Sequence, residues 1–237
     1  SVIQSEFTYG NIIKSLIYCC VPITAYSLIQ IADLDPINWS TKDIFATLGN
    51  ANFLSAFLGM ASIAMFIKVF EASKVWSKVI LSVFIFVNQS IIITSGSIQG
   101  FLIFIAGVGV AGYFLLRNYT NKLLILTTYN FSMLAGTLFS ILGIFDKGPL
   151  AKFIFQPSVI YRADYMHAGL KMTLLRPITG VGLDSYGDWY RQVRGSISTL
   201  RTDPERTSNA AHNIFLDLSS NGGFPLIIFY LLLIGIA

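Results

Sequence analysis

The sequence predicts an all-α, polytopic transmembrane helical bundle with one long extracytoplasmic loop that contains short amphipathic helices. Three observations carry that reading. Of 237 residues, 54% are hydrophobic and 12% are charged, about half the charged share of an ordinary soluble domain. Mean hydropathy is +0.66, and so much apolar surface exceeds what one soluble core of this size can hide. The apolar residues also gather in runs of membrane-crossing length, and a single long polar segment, 146–212, interrupts them.

The first run, about Asn11–Ala32, carries Lys14 near one end and Pro22 in its middle, where a kink is expected. Its adjacent cysteines, Cys19 and Cys20, would point about 100° apart on a helix. They are poor disulfide partners and read as small apolar fillers. A short acidic loop with Asp33, Asp35 and Asp43 follows. The second run, about Phe45–Phe70, opens on Thr47-Leu48-Gly49-Asn50-Ala51-Asn52-Phe53, where the glycine and two asparagines suggest a broken helix start or a cap. A basic link, Lys68–Lys78, leads to the third run, Val79–Thr94. Only Ser95-Gly96-Ser97 separates it from the fourth, Ile98–Leu116. Gly96, Gly100, Gly107, Gly109 and Gly112 have spacings suited to close helix packing. A second basic link, Arg117–Lys122, precedes the fifth run, Leu123–Phe145.

After the polar segment come a short amphipathic helix near Asn209–Ser220, a break at Gly222-Gly223 and an apolar run from Pro225. That last run would rise only about 20 Å as a helix, against a hydrocarbon core of about 30 Å. The chain also begins at Ser1, so it is expected to be a piece of a longer protein. The organisation expected is 1–145 for about five spans, 146–212 for the loop, and 213–237 for a loop-exit helix and a truncated span.

Charge sets the orientation. Lys68, Lys74 and Lys78 against Glu71 leave the first link at +2, and Arg117 and Lys122 leave the second at +2. The first loop is at −2. The positive-inside rule puts both basic links in the cytoplasm, and alternation then puts the 146–212 loop outside. That loop holds nine Lys and Arg against six Asp and Glu. Loops of this length translocate largely regardless of charge, so the excess marks a segment built to meet something anionic.

No HExxH, cysteine cluster or other metal-ligand spacing is present, nor a phosphate-cradling GxxxxGK[ST] loop or a GxGxxG that follows a strand. No metal, cofactor or nucleic-acid partner is expected. Any chemistry falls to His, Arg and Asp of the loop. Tyr161–Leu175 has helical periodicity, with Arg162, Tyr165, Met166 and Gly169 on one face and Asp164, His167 and Lys171 on another. Pro177-Ile178-Thr179-Gly180-Val181-Gly182 ends that helix in a tight turn. Arg191 and Arg194, three apart on a further helix, lie beside Trp189 and Tyr190. Arginine forks suit phosphate oxygens, and aromatic faces pack on sugars or isoprenoid. The same residues suit an amphipathic segment resting on anionic headgroups equally well. His212 reads either as a catalytic imidazole or as a polar residue capping or snorkelling at a helix start.

Four elements occur in one order: Thr47-Leu48-Gly49-Asn50-Ala51-Asn52-Phe53-Leu54; Arg162 with an aromatic helix; Pro177-x-x-Gly180-Val181-Gly182; and Ala211-His212-Asn213-x-Phe215-Leu216 followed by Gly222-Gly223. Together they resemble the O-antigen ligase family of bacterial membrane proteins, which includes O-antigen polymerases and protein O-oligosaccharyltransferases. The resemblance implies a multi-pass enzyme of the bacterial plasma (inner) membrane. It implies transfer of a glycan from undecaprenyl diphosphate to a hydroxyl of a glycolipid such as lipopolysaccharide, a glycan or a protein, on the outer side. It matches the family's loop histidine to His212 and its loop arginine to Arg162. Arg191 and Arg194 correspond to further arginines after the Gly-x-Gly turn. The family often has Ser-Arg at the outer end of a helix, whereas Ser95 here is followed by Gly96.

The roles follow from that chemistry. His212 is expected to take the proton of the acceptor hydroxyl, and Arg162, Arg191 and Arg194 are the candidates to stabilise the leaving diphosphate. Direct displacement inverts the anomeric carbon. A polymerase would share the donor chemistry. A transporter or flippase for lipid-linked sugars would carry its functional charges within the spans, and these runs have almost none. A structural assembly subunit is the third alternative. The orientation has a direct test. In single-cysteine proteins, Ser95→Cys and Ser196→Cys are expected to react with a membrane-impermeant thiol reagent from outside intact cells, and Ser73→Cys is not. Outside labelling at position 73 would reverse the topology.

Overall fold

The structure, a computed structural model, describes residues 6–39, 42–201 and 207–236. Residues 40–41 of the acidic loop and 202–206 of the long loop lie outside the described residues. The elements are α1 (Glu6–Ile31), a 3₁₀ turn (Ala46–Leu48), α2 (Ala51–Glu71), α3 (Val75–Thr94), α4 (Gln99–Tyr119), α5 (Leu123–Ile144), α6 (Ala151–Ile154), α7 (Pro157–Leu175), α8 (Tyr186–Val193), α9 (Ser196–Arg201) and α10 (Ile214–Ile236). The helices α1, α3, α4 and α5 begin and end within about five residues of the apolar runs, whereas α2 starts later than its run and α10 starts well before Pro225. Among the described residues there is no strand. Among the described residues, six helices are long and apolar enough to cross a membrane: α1 from Gly10, then α2, α3, α4, α5 and α10. The protein is a polytopic helical membrane bundle.

The chain divides into two units, Ser1–Ala135 and Gly136–Ala237. In the first, α2 packs against α1, α3 and α4. Its Asn50 cap accepts the Asn52 N–H at 2.7 Å, as the Gly-Asn-Ala-Asn stretch predicts. Small residues set how closely α2 and α4 approach. Ser55 Oγ accepts the Gly100 N–H and donates to the Ser97 carbonyl, both at 2.7 Å. A Cβ on Gly100 would sit 1.8 Å from the Ser55 carbonyl oxygen, and one on Gly59 would sit 2.5 Å from that of Gly100. Gly107 abuts Ile63, and Gly109 and Gly112 abut Met133 and Tyr129. Gly96 departs from the packing expectation. It has φ +72° and nothing within 4 Å of its Cβ position, so it serves the α3–α4 turn instead.

The cysteines also differ from simple fillers. Both are free, Cys19 exposed and Cys20 buried. Cys20 belongs to a buried polar network in which Thr24 donates to Asn88 Oδ1 at 2.8 Å and the Asn88 amide reaches Cys20 Sγ and Ser62 Oγ at 3.4 Å. Such bridges tie α1, α2 and α3 where no water competes. α1 continues through Pro22.

In the second unit, α7 packs against α8 and α10. The expected break is present: α10 carries a non-helical Gly223 at φ 71°, ψ −173°. It begins at Ile214, later than the sequence suggests, because Asn213 supplies the cap. Asn213 Oδ1 accepts the N–H groups of Phe215 and Leu216.

The α2–α4 contact yields a stability prediction. Gly100→Leu overpacks a backbone-to-backbone approach and is expected to cost at least about 1–3 kcal/mol. Gly136→Ala, at a helical glycine with nothing within 4 Å, is expected to be neutral or slightly stabilising. Thermal unfolding in detergent measures both, and equal melting of the two variants would contradict the assigned packing.

Candidate functional site

An aromatic core supports the polar surface of the second unit. Tyr165 of α7, Tyr186 and Tyr190 of α8, and Met172, Ala168 and Ala211 form one buried cluster. The Tyr186 and Tyr190 rings stack at 6.3 Å, and Tyr190 meets Tyr165 edge-on at 5.5 Å. Tyr186 donates its hydroxyl to the Tyr165 carbonyl at 2.5 Å. Burial pushes the Tyr186 phenol well above its ordinary range, and the nearby Asp217 carboxylate adds to the shift. The hydroxyl therefore stays protonated and keeps donating.

The Pro177–Gly182 turn docks on the break in α10. Val181 N–H donates to the Ser220 carbonyl at 2.8 Å and Gly182 N–H to that of Asn221 at 3.1 Å. In return Phe224 N–H donates to the Pro177 carbonyl at 2.7 Å. The two strands of backbone approach too closely for side chains. A Cβ on Gly180, at φ +63°, would lie 2.3 Å from the Asn221 carbonyl carbon, and one on Gly223 would lie 2.5 Å from the Ile178 oxygen. This is why the sequence needs glycine on both sides.

His212 sits just before α10, on the connection that this docking fixes. Its φ is +55°, a left-handed conformation uncommon for residues other than glycine and enriched in Asn, Asp and His. The backbone on each side is anchored. Ala211 N–H donates to Asp217 Oδ1 at 2.6 Å, its methyl group is fully buried, and it packs where Gly169 leaves room on α7. Asn213 caps the helix on the other side. The imidazole itself is exposed and lies against the Tyr165 ring at 5.5 Å. A cap role for His212 is thereby removed, since Asn213 fills it. The strained backbone holds an imidazole outward, over an aromatic face.

The arginines lie on different elements, Arg162 on α7, Arg191 on α8 and Arg194 just past its end. Arg162 is half-buried one turn before Tyr165, on the face of α7 that His212 covers. Arg191 is exposed in the last turn of α8. Arg194 lies past the helix end, with extended backbone at φ −58°, ψ 145°, so the expected shared helix face with Arg191 ends at Val193. Arg194 lines a shallow concavity of about 490 Å³ with Lys171, Leu174 and Gln192. Lys171, which donates to the Val193 carbonyl at 3.3 Å, is about 180° around α7 from Arg162. The neighbouring aromatics also differ from a free recognition pair. Tyr190 is only 3% exposed, and the Trp189 ring is met by the Arg176 guanidinium at 5.4 Å, a cation–π contact.

Sequence reasoning missed Tyr165 as the platform, Arg176 as the partner of Trp189, and Asp217 as the anchor of the histidine connection. Asp217 carried a signal, an acid in the first turn of a helix behind an Asn cap. Among the described residues, no three His, Cys, Asp or Glu gather as metal ligands.

A family model described as O-antigen ligase matches residues 44–231, a range that takes in all four elements above. No curated protein and no solved structure matches.

The anchoring of His212 separates position from support. Asn213→Ala is expected to cost about 1 kcal/mol of stability, and Gly180→Ala more, through both its positive φ and the Asn221 backbone. His212→Asn, which suits the left-handed backbone, is expected to leave thermal stability unchanged. A large loss of stability in His212→Asn would mean that the imidazole is structural.

Proposed function

This chain belongs to the O-antigen ligase family, and from that premise we propose that it transfers a glycan from undecaprenyl diphosphate to an acceptor hydroxyl on the outer face of a bacterial plasma membrane. It is an O-antigen ligase-like membrane glycosyltransferase. The observation that carries the finer reading is His212, an exposed imidazole held in a left-handed turn by anchors on both sides while another residue caps the helix.

His212 accepts the proton of the acceptor hydroxyl as its oxygen attacks the anomeric carbon of the donor. The bond from that carbon to the diphosphate oxygen breaks, and undecaprenyl diphosphate leaves with the bonding pair. Attack opposite the leaving group inverts the anomeric configuration. Arg162, on the same face of α7 as the Tyr165 platform, offers a fork to the diphosphate oxygens. Arg191 and Arg194, on α8 and just past its end, suit the outer reaches of the donor or anionic headgroups. The diphosphate leaving group supplies the driving force, and no metal takes part in the proposed step. Donor, acceptor, inversion and metal independence are all parts of this proposal.

Transfer from lipid-linked donor to acceptor, assayed with the purified protein, tests it. His212→Ala and His212→Asn are expected to lose about 10²–10⁴-fold in rate at equal membrane abundance. Arg162→Lys is expected to recover part of the activity that Arg162→Ala loses, because a point charge replaces the fork incompletely. His167→Ala, on another face of α7, is expected to change little. Near-normal transfer by His212→Asn would remove the catalytic assignment. Transfer is also expected to persist in excess chelator, and loss restored by one divalent ion would reveal a metal site.

A further inference from the structure

The first unit carries a second built site, at the end of α2 opposite its basic link. There α1 ends, the acidic loop folds back and α2 begins, enclosing a cavity of about 730 Å³, within the range of small-molecule sites. Tyr26, Trp39, Asp43, Thr47, Asn50 and Asn52 contribute to its lining. Two buttresses hold its walls. Asp35 accepts hydrogen bonds from the Trp39 indole N–H at 2.9 Å, the Gln30 amide at 2.9 Å, the Tyr26 hydroxyl at 3.0 Å and the Ile37 N–H at 3.0 Å. Gln30, so oriented, turns its carbonyl to the N–H groups of Phe45 and Ala46 at 3.2 and 2.8 Å. Ala46 is thereby kept at φ +47°, a conformation that is costly for alanine and that persists only where its surroundings impose it. Partial desolvation works against the charge on Asp35, but these four donors outweigh it and hold the carboxyl below its ordinary range. Trp39 is fixed at its nitrogen and edge-on to Phe45 while 46% of it stays exposed.

The chemistry of the lining selects the ligand. Among the described residues that line the cavity, Asp43 is acidic and none is basic, so a phosphate or diphosphate is disfavoured. Amide, hydroxyl and carboxylate groups offer donors and acceptors to a polyhydroxylated molecule. The electron-rich faces of Trp39 and Tyr26 suit the C–H face of a saturated ring. Asp43, Thr47 and Asn50 are exposed, so these groups are accessible from solvent.

We propose that this pocket binds an uncharged pyranose unit of a glycan, held by stacking on Trp39 and by hydrogen bonds to Asp43, Thr47 and Asn50. Only the source of that sugar, a glycan handled by the enzyme, rests on the transfer reading above. The subsite gives the protein a hold on sugar that is independent of the diphosphate.

The full chain in sugar-free nanodiscs tests this, with Trp76→Phe and Trp189→Phe leaving Trp39 as the fluorescent reporter. N-acetylglucosamine, galactose and rhamnose are titrated separately. At least one is expected to change Trp39 emission saturably, and Asp43→Asn with Thr47→Val, both at exposed positions, is expected to weaken that binding about tenfold or more. His212→Ala is expected to leave it unchanged, so failure of the catalytic assignment and failure of the subsite give different results. No saturable change with any of the three sugars, or saturation unaffected by the double variant, would overturn the proposal. Quenching of Trp39 by a lipid brominated on its acyl chain, with no response to sugar, would give the pocket to lipid instead.

Discussion

The second unit depends on one exchange of backbone hydrogen bonds. A helix that breaks at Gly223 leaves carbonyls without partners in the turn before the break. In hydrocarbon each such group costs several kcal/mol, because no water is present to replace the lost bond. The Pro177–Gly182 turn answers that need with the N–H groups of Val181 and Gly182, and takes the Phe224 N–H in return. Glycines at 180 and 223 are what allow the two backbones to meet. Once they meet, the end of α7 and the start of α10 have a fixed relation, and the Thr173–Ser219 hydroxyl contact at 3.0 Å reinforces it. His212, Tyr165 and Arg162 inherit their arrangement from this lock. The lock limits the ways in which this part of the scaffold can satisfy its polar groups.

The first unit shows a different use of small residues. Ser55, Gly59 and Gly100 bring α2 and α4 into backbone contact, while Asn88 bridges to Thr24 and Ser62 in the bundle interior. With lipid chains as apolar as leucine, burial of apolar surface gives helices little reason to associate, and close packing with a few hydrogen bonds supplies it. α2 is accordingly the most buried of the candidate spans. Its N-terminal end becomes a rigid floor on which the Asp35–Gln30 buttress builds a cavity.

Much of this was legible in the sequence for a simple reason: spans and breaks are written in composition. Long apolar runs, the Gly222-Gly223 break and the Pro177 turn each impose one local outcome. The docking between turn and break was not legible, because which orphan carbonyl pairs with which amide depends on tertiary position. The aromatic residues misled for a related reason. Trp189 and Tyr190 read as a surface pair, but in α8 consecutive residues diverge by about 100°, so Tyr190 enters the core while Trp189 meets Arg176. His212 and Arg162 were singled out as candidates through motif order, and periodicity placed Arg162 with Tyr165. What periodicity could not supply was the left-handed turn that lays the imidazole over that tyrosine. Arg194 shows the limit of a helical wheel, which holds only as far as the helix does.

The lock between turn and break also orders the assembly of the protein during synthesis. Chains are made from the N-terminus, at about 5–20 residues per second. The Pro177–Gly182 turn therefore leaves the ribosome roughly forty residues, a few seconds at that pace, ahead of the Ser220–Phe224 segment. The amides that the broken helix requires are already formed when its carbonyls arrive. Reversing the order of these two elements in the chain would leave the break waiting, with its unpaired backbone facing lipid or another protein. The sequence places the partner first.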